Sequence, residues 1–266
     1  SSLSQIHLPP TNRRTRPFPY TANSYSQARQ DKVVWELSGR KKSGTFVEIG
    51  GYDGITYSNT LRLEEEHGWS GLLIEASSAL CSQIIALQRN IKTFCGCLSD
   101  APTITFRTDG AIGGDVAHID PEHAQLMRSS ATEEVQCLTP ESLFSATFTE
   151  IDYFSLDVEG AELMLLELLL PMLSSGRLSV NIWTIEYRVI DASQRNVVDK
   201  SLSKLNSIRR LFQKIGGYQE WGVISIEKEG KVSDAEGLDV VFVREMPLDV
   251  KRQNDLVRAI MHVMVG

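Results

Sequence analysis

The chain has 266 residues, of which 42% are hydrophobic and 23% are charged, as is usual for a globular protein with a sizeable core. Its formal net charge of −7 disfavours a nucleic-acid partner, because such partners need basic surfaces. No apolar run reaches the roughly 18 residues that a membrane span needs, and no signal peptide is evident. The chain begins with Ser1 and not with Met, so we expect that an upstream targeting or anchor segment was removed, and that only this segment would contact a membrane.

The sequence divides into three parts. Residues 1–22 are rich in Pro, Ser, Thr and Arg without any period, which predicts a disordered tail or stalk. Residues 23–250 are predicted to form one globular domain. Residues 251–266 carry apolar side chains at helical spacing, which predicts an amphipathic helix that packs on that domain.

The chain is organised around residues 45–59, with the sequence TFVEIGGYDGITYSN. A short apolar run breaks into a glycine-rich turn at residues 50–54, and Ser58 and Asn59 can open a helix. A strand, a glycine turn and a helix start in this order predict the first crevice of a doubly wound α/β sheet. Glycine in the turn lets the backbone pass close to a ligand.

The glycine turn does not fit a dinucleotide. The fingerprint G-x-G-x-x-G, started at Gly50, needs glycine where Tyr52 and Ile55 stand, which disfavours a nicotinamide-dependent oxidoreductase. The pattern E-x-G-x-x-D-G instead looks like the first motif of the class I methyltransferases that bind S-adenosylmethionine. Its carboxylates, Glu48 and Asp53, suit the ammonium group of that ligand, directly or through water. An ordinary turn without a ligand is the alternative.

The next two predicted strands also end near acidic residues. The second strand, residues 71–75, ends in Glu75, which can accept hydrogen bonds from both hydroxyls of a ribose; a solvent-exposed carboxylate is the alternative. The third strand, residues 93–98, is followed by Ser99 and Asp100. We expect Asp100 beside the adenine, where its carboxylate would accept a hydrogen bond from the exocyclic amine.

The fourth and fifth strands end in acids at the centre of the sheet. The fourth, residues 151–157, has the apolar centre of a buried parallel strand and ends in Asp157. Two-residue alternation would place Asp157 and Glu159 on the same side. The fifth, residues 180–186, ends in Glu186. Ligands bind at the carboxyl ends of such strands.

A long segment separates the third strand from the fourth. Residues 109–134 lack a clear period and contain His118. A loop of this length within a compact domain is usually functional or mobile, so a substrate lid is predicted. A histidine in such a loop is, on its own, more often a surface residue than a catalytic one.

Six sequence blocks carry a family resemblance: FVEIGGYDG, SNTLRLE, GWSGLLIE, CLSD, IDYFSLDVEGAE and DVVFVR. In this order they resemble the FkbM family of methyltransferases over residues 26–244, and they look most like its animal branch, which includes the secretory-pathway protein Star. Arg29 stands where the family usually has glycine, and Ala76 follows Glu75 where a proline-containing turn is common. The resemblance implies a doubly wound, mostly parallel, seven-stranded sheet of the class I methyltransferase (Rossmann-like) type, with a long inserted loop.

The resemblance also implies a cofactor and a reaction. The cofactor is S-adenosyl-L-methionine, and the reaction is O-methylation of a hydroxyl on a sugar, a glycan or another small molecule. The residues expected to bind the cofactor are Glu48, Gly50, Tyr52, Asp53, Ser58, Asn59, Glu75, Ala76, Ser99, Asp100 and Asp157.

Methyl transfer requires the acceptor oxygen to lie about 3 Å from the methyl group and to lose its proton. The candidate bases are Asp157, Glu159, Glu186 and, behind them, His118. Alternatively, Asp157, Glu159 and Glu186 hold Mn²⁺ or Mg²⁺, which would lower the pKa of the acceptor hydroxyl. A non-catalytic Star-like protein that binds a client in the secretory pathway is the other open class, although the intact acidic strand ends argue against it.

The four cysteines show no paired zinc pattern. A doubly wound sheet can place Cys97, at the end of the third strand, beside Cys137, which follows the long loop, so this pair is the favoured disulfide. Such a bond persists only in an oxidising compartment. With the family resemblance, it predicts a lumenal domain of the secretory pathway, of Golgi type. The absence of an Asn-x-Ser/Thr acceptor argues weakly against this location, and a cytoplasmic enzyme with four reduced thiols is the alternative.

Overall fold

The computed structural model describes residues 5–11, 25–109, 112–189, 197–226 and 232–245. The C-terminal helix predicted over 251–266, and most of the tail predicted over 1–22, lie outside this part of the chain. No helix within the described ranges is both long and apolar enough to cross a membrane.

The described residues form twelve strands and seven helices. The strands are β1 (Ile6–His7), β2 (Thr45–Ile49), β3 (Ser70–Glu75), β4 (Lys92–Cys95), β5 (Cys97–Leu98), β6 (Thr103–Asp109), β7 (Ile112–Asp115), β8 (Thr132–Leu138), β9 (Glu150–Leu156), β10 (Ser179–Glu186), β11 (Tyr218–Ile224) and β12 (Asp239–Arg244). The helices are α1 (Gln30–Leu37), α2 (Leu61–His67), α3 (Ser78–Ala86), α4 (Pro121–Leu126), α5 (Pro140–Ala146), α6 (Glu162–Ser174) and α7 (Val197–Ile215).

The main sheet has the order β1-β4-β3-β2-β9-β10-β12-β11. Strands β4, β3, β2, β9 and β10 are parallel, and β12, β11 and β1 pair antiparallel at the edges. The predicted doubly wound α/β class is confirmed, but the predicted count of seven strands is wrong. The eighth strand comes from the predicted tail, because Ile6 and His7 pair with Phe94 and Thr93 along the otherwise open edge of β4.

Successive side chains of the parallel strands point to opposite faces of the main sheet, and both faces are buried. On β9, Phe154 belongs to the larger hydrophobic cluster and its neighbour Tyr153 to the smaller cluster on the opposite face. Val47 and Phe46 of β2 divide in the same way. Burial on both faces explains why these strands are continuous apolar runs in the sequence.

The segment predicted as a long loop over 109–134 is folded. It contains β7, α4 and the start of β8, and it joins a second, four-stranded sheet with the order β5-β8-β6-β7. The prediction of an irregular loop is therefore wrong. A strand of four residues and a helix of six are too short to leave a period in the sequence.

Two disulfides lie on either side of Gly96, where the chain passes from the main sheet into the small one. Cys97 pairs with Cys137, as predicted, and links β5 to β8. Cys81 pairs with Cys95 and ties α3 to the end of β4. The second bond was missed, since nothing in the spacing brings a helix residue beside the last residue of a strand that follows it.

Candidate active site

A cavity of about 430 Å³ opens at the carboxyl ends of the parallel strands. Its volume lies within the usual range for ligand sites. Its wall comes from the turns after β2, β3, β9 and β10, together with residues of the small sheet. This is the position that the order of strands predicted for a ligand.

The glycine turn after β2 lies directly on the end of β9. Gly50 has a φ of 86°, and a Cβ at this position would stand 1.7 Å from the backbone oxygen of Asp157. Only glycine fits both the conformation and the space. The turn therefore brings the backbone of residues 50–52 into the cavity wall, where Tyr52 also has a positive φ of 48°.

Glu75 lies in the cavity wall at the end of β3, and its side chain is buried. Its carboxylate accepts hydrogen bonds from the backbone N–H groups of Tyr52 at 2.9 Å and Ser77 at 2.8 Å. Burial raises the pKa of Glu75 to about 7, although these backbone donors oppose the rise. Each carboxylate oxygen keeps a further lone pair, so the group can still accept from a ligand hydroxyl. Ala76, the next residue, also lines the cavity.

Glu48 is also buried, but both of its oxygens bind protein donors. Ser58 Oγ lies 3.0 Å from Oε2, the backbone N–H of Asn59 lies 2.7 Å from Oε1, and Thr60 Oγ1 also donates to Oε2. Burial raises the pKa of Glu48, and the Arg89 charge and these donors oppose the rise. Glu48 therefore fixes the turn that enters α2. In that turn, the buried Oδ1 of Asn59 lines the cavity and has no hydrogen-bond partner in the described part of the chain.

Arg89 supports the same turn, and no sequence pattern pointed to this role. Its side chain is buried and lies 2.8 Å from Glu64 Oε2. It also donates to the backbone oxygen of Gly54 at 2.8 Å and to Ser58 Oγ at 3.3 Å. Asp53 holds the turn from outside the cavity wall, where its carboxylate accepts from the backbone N–H groups that follow it.

Ser99 and Asp100 do not line the cavity. The strand predicted over 93–98 is broken, because β4 ends at Cys95 and the chain turns into the small sheet at Gly96. Ser99 and Asp100 therefore lie outside the cavity wall, and their contact with the cofactor stays a prediction. Gly96 and Cys97 line this part of the wall instead.

Three carboxylates meet at the other end of the cavity. One oxygen of each of Asp157, Glu162 and Glu186 lies within 4.8 Å of the others. Burial, and then neighbouring carboxylates, raise the pKa of Asp157 and of Glu186 well above their ordinary values. Two carboxylates this close favour a shared proton, because ionising both would place two negative charges side by side. Glu186 Oε2 is buried and has no hydrogen-bond partner among the described residues.

Glu159 lines the cavity but does not join this cluster. Its carboxylate lies 3.0 Å from Nδ1 of His123 on α4, whose side chain is buried. The clustered acids are therefore Asp157, Glu162 and Glu186, and the predicted metal set of Asp157, Glu159 and Glu186 stays a prediction. The two-residue alternation predicted for Asp157 and Glu159 does not apply, because β9 ends at Leu156 and Glu159 has a left-handed φ of 58°.

The two histidines of the insertion have different surroundings. Burial lowers the pKa of His123, but the hydrogen bond and charge of Glu159 more than offset it, so the pKa is raised. His118 is half-exposed and lies 2.6 Å from Asp115 Oδ2. Asp115 lines the cavity and His118 does not, so the role of His118 as a base stays a prediction that the cavity wall does not support.

No curated protein matches this chain. Among solved structures, it is similar to the fibrillarin of Aeropyrum pernix in complex with S-adenosyl-L-methionine, at 11% identity over 88% of this chain and 85% of that chain, with a TM-score of 0.44. It is similar to the methyltransferase FkbM of Methylobacillus flagellatus at 13% identity over 76% of this chain and 43% of that chain, with a TM-score of 0.42. It is also similar to the N-terminal domain of EvdMO1, solved in the presence of SAH and D-fucose, at 13% identity over 84% of each chain, with a TM-score of 0.40. Residues 48–219, more than half of the chain, match the methyltransferase FkbM domain, and the protein therefore belongs to the FkbM methyltransferase family.

Proposed function

We propose that this protein is an S-adenosylmethionine-dependent O-methyltransferase that acts on a hydroxyl of a sugar or glycan. The observation that carries the proposal is the division of one cavity into two chemically different ends. Glu75 and the glycine turn form one end, and the carboxylate pair of Asp157 and Glu186 forms the other. The first suits a nucleoside with an amino-acid tail, and the second suits a hydroxyl that must lose a proton.

The residues of the first end fit the cofactor. Gly50 and Gly51 line the cavity with backbone alone, and packing requires glycine at both, since a Cβ at either position would stand about 2 Å from protein atoms. Glu75 would accept from the ribose hydroxyls, and the unpartnered Oδ1 of Asn59 would accept from the ammonium. Ile104, with Leu98 beside it, offers apolar wall for the purine. When bound, the cofactor supplies an electrophilic methyl group.

The residues of the second end can take a proton. The oxygens of Asp157 and Glu186 lie within 4.8 Å of each other, so the pair would share one proton and leave the other carboxylate as a base. The raised pKa of the pair brings its basicity closer to that of a working catalyst near neutral pH. In the proposed reaction, the acceptor hydroxyl would give its proton to this pair and its oxygen would bond to the methyl carbon, while the carbon–sulfur bond of the cofactor breaks and leaves a neutral thioether.

The charge of the cavity supports a neutral acceptor. Asp115, Asp157, Glu159, Glu186 and Glu236 line it, whereas Arg188 is the cationic residue among the described lining residues. An acceptor that carries carboxylate or sulfate groups would be repelled. A sugar hydroxyl carries no charge and offers donors that these carboxylates can bind.

We also place the protein in the lumen of the secretory pathway, in the Star-like branch of the family. The two disulfides support this location, because such bonds are rare where glutathione keeps thiols reduced. A cytoplasmic enzyme is the alternative, and it would carry four thiols.

The experiment is incubation of the oxidised protein with S-adenosylmethionine and matched panels of neutral and acidic glycans, followed by mass spectrometry. We expect a gain of one methyl group on neutral glycans and little or none on acidic ones. Binding of the cofactor without transfer to any hydroxyl would contradict the O-methyltransferase. Failure to bind the cofactor at all would favour the non-catalytic Star-like protein.

A further inference from the structure

A lysine lies inside the carboxylate cluster. Lys204 of α7 extends its Nζ to 2.6 Å from Glu162 Oε2. The Lys204 side chain is 11% exposed and that of Glu162 is fully buried. Burial lowers the pKa of Lys204, and the charges of Glu162 and Glu186 more than offset burial, so the pKa is raised and the ammonium keeps its proton.

Both carboxylate oxygens of Glu162 are already in use. Oε2 faces the ammonium, and Oε1 accepts from the backbone N–H groups of Val158 at 3.1 Å and Gly160 at 3.3 Å. A divalent cation needs several free oxygens at about 2.0–2.6 Å, and it would be repelled by an ammonium so close by. The cluster does not fit Mg²⁺ or Mn²⁺ while Lys204 occupies it.

Two acids in and beside the cluster each have a basic partner. His123 faces Glu159, and Lys204 faces Glu162. These two pairs involve the acids at the two ends of the segment 159–162. Of the three clustered acids, Asp157 and Glu186 line the cavity and Glu162 does not.

We propose that Lys204 is the resident cation of this site. It is a positioning residue that neutralises Glu162, fixes the loop after β9 and presents Asp157 and Glu186 to the acceptor without a divalent metal. The metal-binding consequence follows from charge and geometry alone, and only the activity consequence rests on the proposed function.

The decisive experiment measures binding of Mn²⁺ alone by calorimetry and electron paramagnetic resonance. We expect no stoichiometric site in the wild type. In Lys204→Met, three carboxylates lose their internal cation, and we expect one Mn²⁺ to bind at least about tenfold more tightly than to the wild type. Lys204→Arg, which keeps the charge, should bind no Mn²⁺, and neither should Lys214→Met, which removes an exposed lysine from the last turn of the same helix.

Two results would overturn the proposal. One is a wild-type protein that binds one Mn²⁺ and loses it on Glu186→Gln. The other is a folded Lys204→Met that binds Mn²⁺ no better than the wild type. If Lys204→Met does not fold, Lys204→Gln, which keeps hydrogen-bond donors for Glu162, takes its place under the same criteria.

An activity measurement separates this proposal from the proposed function. Wild-type methyl transfer should survive chelation, while Lys204→Met should lose at least about tenfold in turnover and regain part of it with Mn²⁺. Wild-type turnover that chelation abolishes and Mn²⁺ restores would overturn the proposal. A protein that methylates no acceptor would refute the proposed function and leave the Mn²⁺ binding results to decide the role of Lys204.

Discussion

The glycine-turn end of the cavity and its acid end are assembled in different ways. At the first end, Glu75 and the glycine turn follow neighbouring strands, and Glu75 accepts a hydrogen bond from the backbone N–H of Tyr52 in that turn. At the second, Asp157 directly follows β9 and Glu186 ends β10, whereas Glu162 and Lys204 come from helices α6 and α7. The comparison teaches that strand ends alone can build a binding surface, but that the charge state of the acid end depends on how helices pack.

The largest effect is expected at Gly50, where the two ends touch. Gly50→Ala combines a φ of 86° with a Cβ that would stand 1.7 Å from the Asp157 backbone oxygen. The turn and the end of β9 must separate, and we expect a loss of on the order of 4 kcal/mol or more in the free energy of unfolding. Urea unfolding of the two proteins measures this loss.

Gly176 is the matched control. It has a similar φ of 73°, but a Cβ there would meet nothing within 4 Å. Gly176→Ala should therefore cost only about 1–2 kcal/mol, the price of the left-handed backbone. Equal losses in the two variants would show that the close approach of the two ends contributes nothing.

Removing the two disulfides one at a time compares the contribution of the small sheet with that of helix α3, which follows Glu75. The Cys97–Cys137 bond spans 40 residues and the Cys81–Cys95 bond spans 14. In the chain-entropy model, these loops stabilise the fold by about 4 and 3 kcal/mol, so Cys97→Ser/Cys137→Ser should be the more harmful double variant. Thermal unfolding ranks them, and thiol titration of the unreduced, denatured wild type should find no free thiol. Four free thiols would contradict both bonds and the lumenal location.

Asp157→Asn tests the acid end alone. We expect methyl transfer to fall by about 10²–10⁴-fold, because the amide cannot take the acceptor proton. Binding of S-adenosylmethionine should change little, since Glu75 and Asn59 are intact. Glu150→Gln, at the exposed start of the same strand, is the control and should keep full activity. If the Asp157→Asn protein is active, the role of the base must be assigned to Glu186.

The smallest effect is a pH dependence at the glycine-turn end. The pKa of Glu75 is raised to about 7 in the folded protein from an ordinary value of 4.5. Between these values the folded state holds a proton that the unfolded state has lost, so stability falls as the pH rises, by up to about 1.4 kcal/mol per pH unit. Urea unfolding at pH 5, 6 and 7 should show this slope in the wild type and a shallower one in Glu75→Gln. Parallel slopes would contradict the raised pKa.

The sequence predictions succeeded for residues that follow strands and failed for residues that turns or helix packing place. The parallel strands, the glycine turn and the strand-end acids Glu75, Asp157 and Glu186 could be predicted because strand periodicity fixes them. Ser99 and Asp100 were misplaced because the chain leaves the main sheet at Gly96, and Glu159 because alternation stops where β9 ends. Lys204 gave no signal, since only the packing of α7 against α6 brings it to Glu162.

The most direct test of the account is a calorimetric titration of the wild type, Glu75→Ala and Asp157→Asn with S-adenosylmethionine. Glu75→Ala should lose about 2–4 kcal/mol of binding free energy, a factor of roughly 30 or more in Kd, because it removes two charge-assisted hydrogen bonds. Asp157→Asn should bind as tightly as the wild type. A wild type that does not bind, or a Glu75→Ala variant that binds equally well, would contradict the assignment of the glycine-turn end to this cofactor.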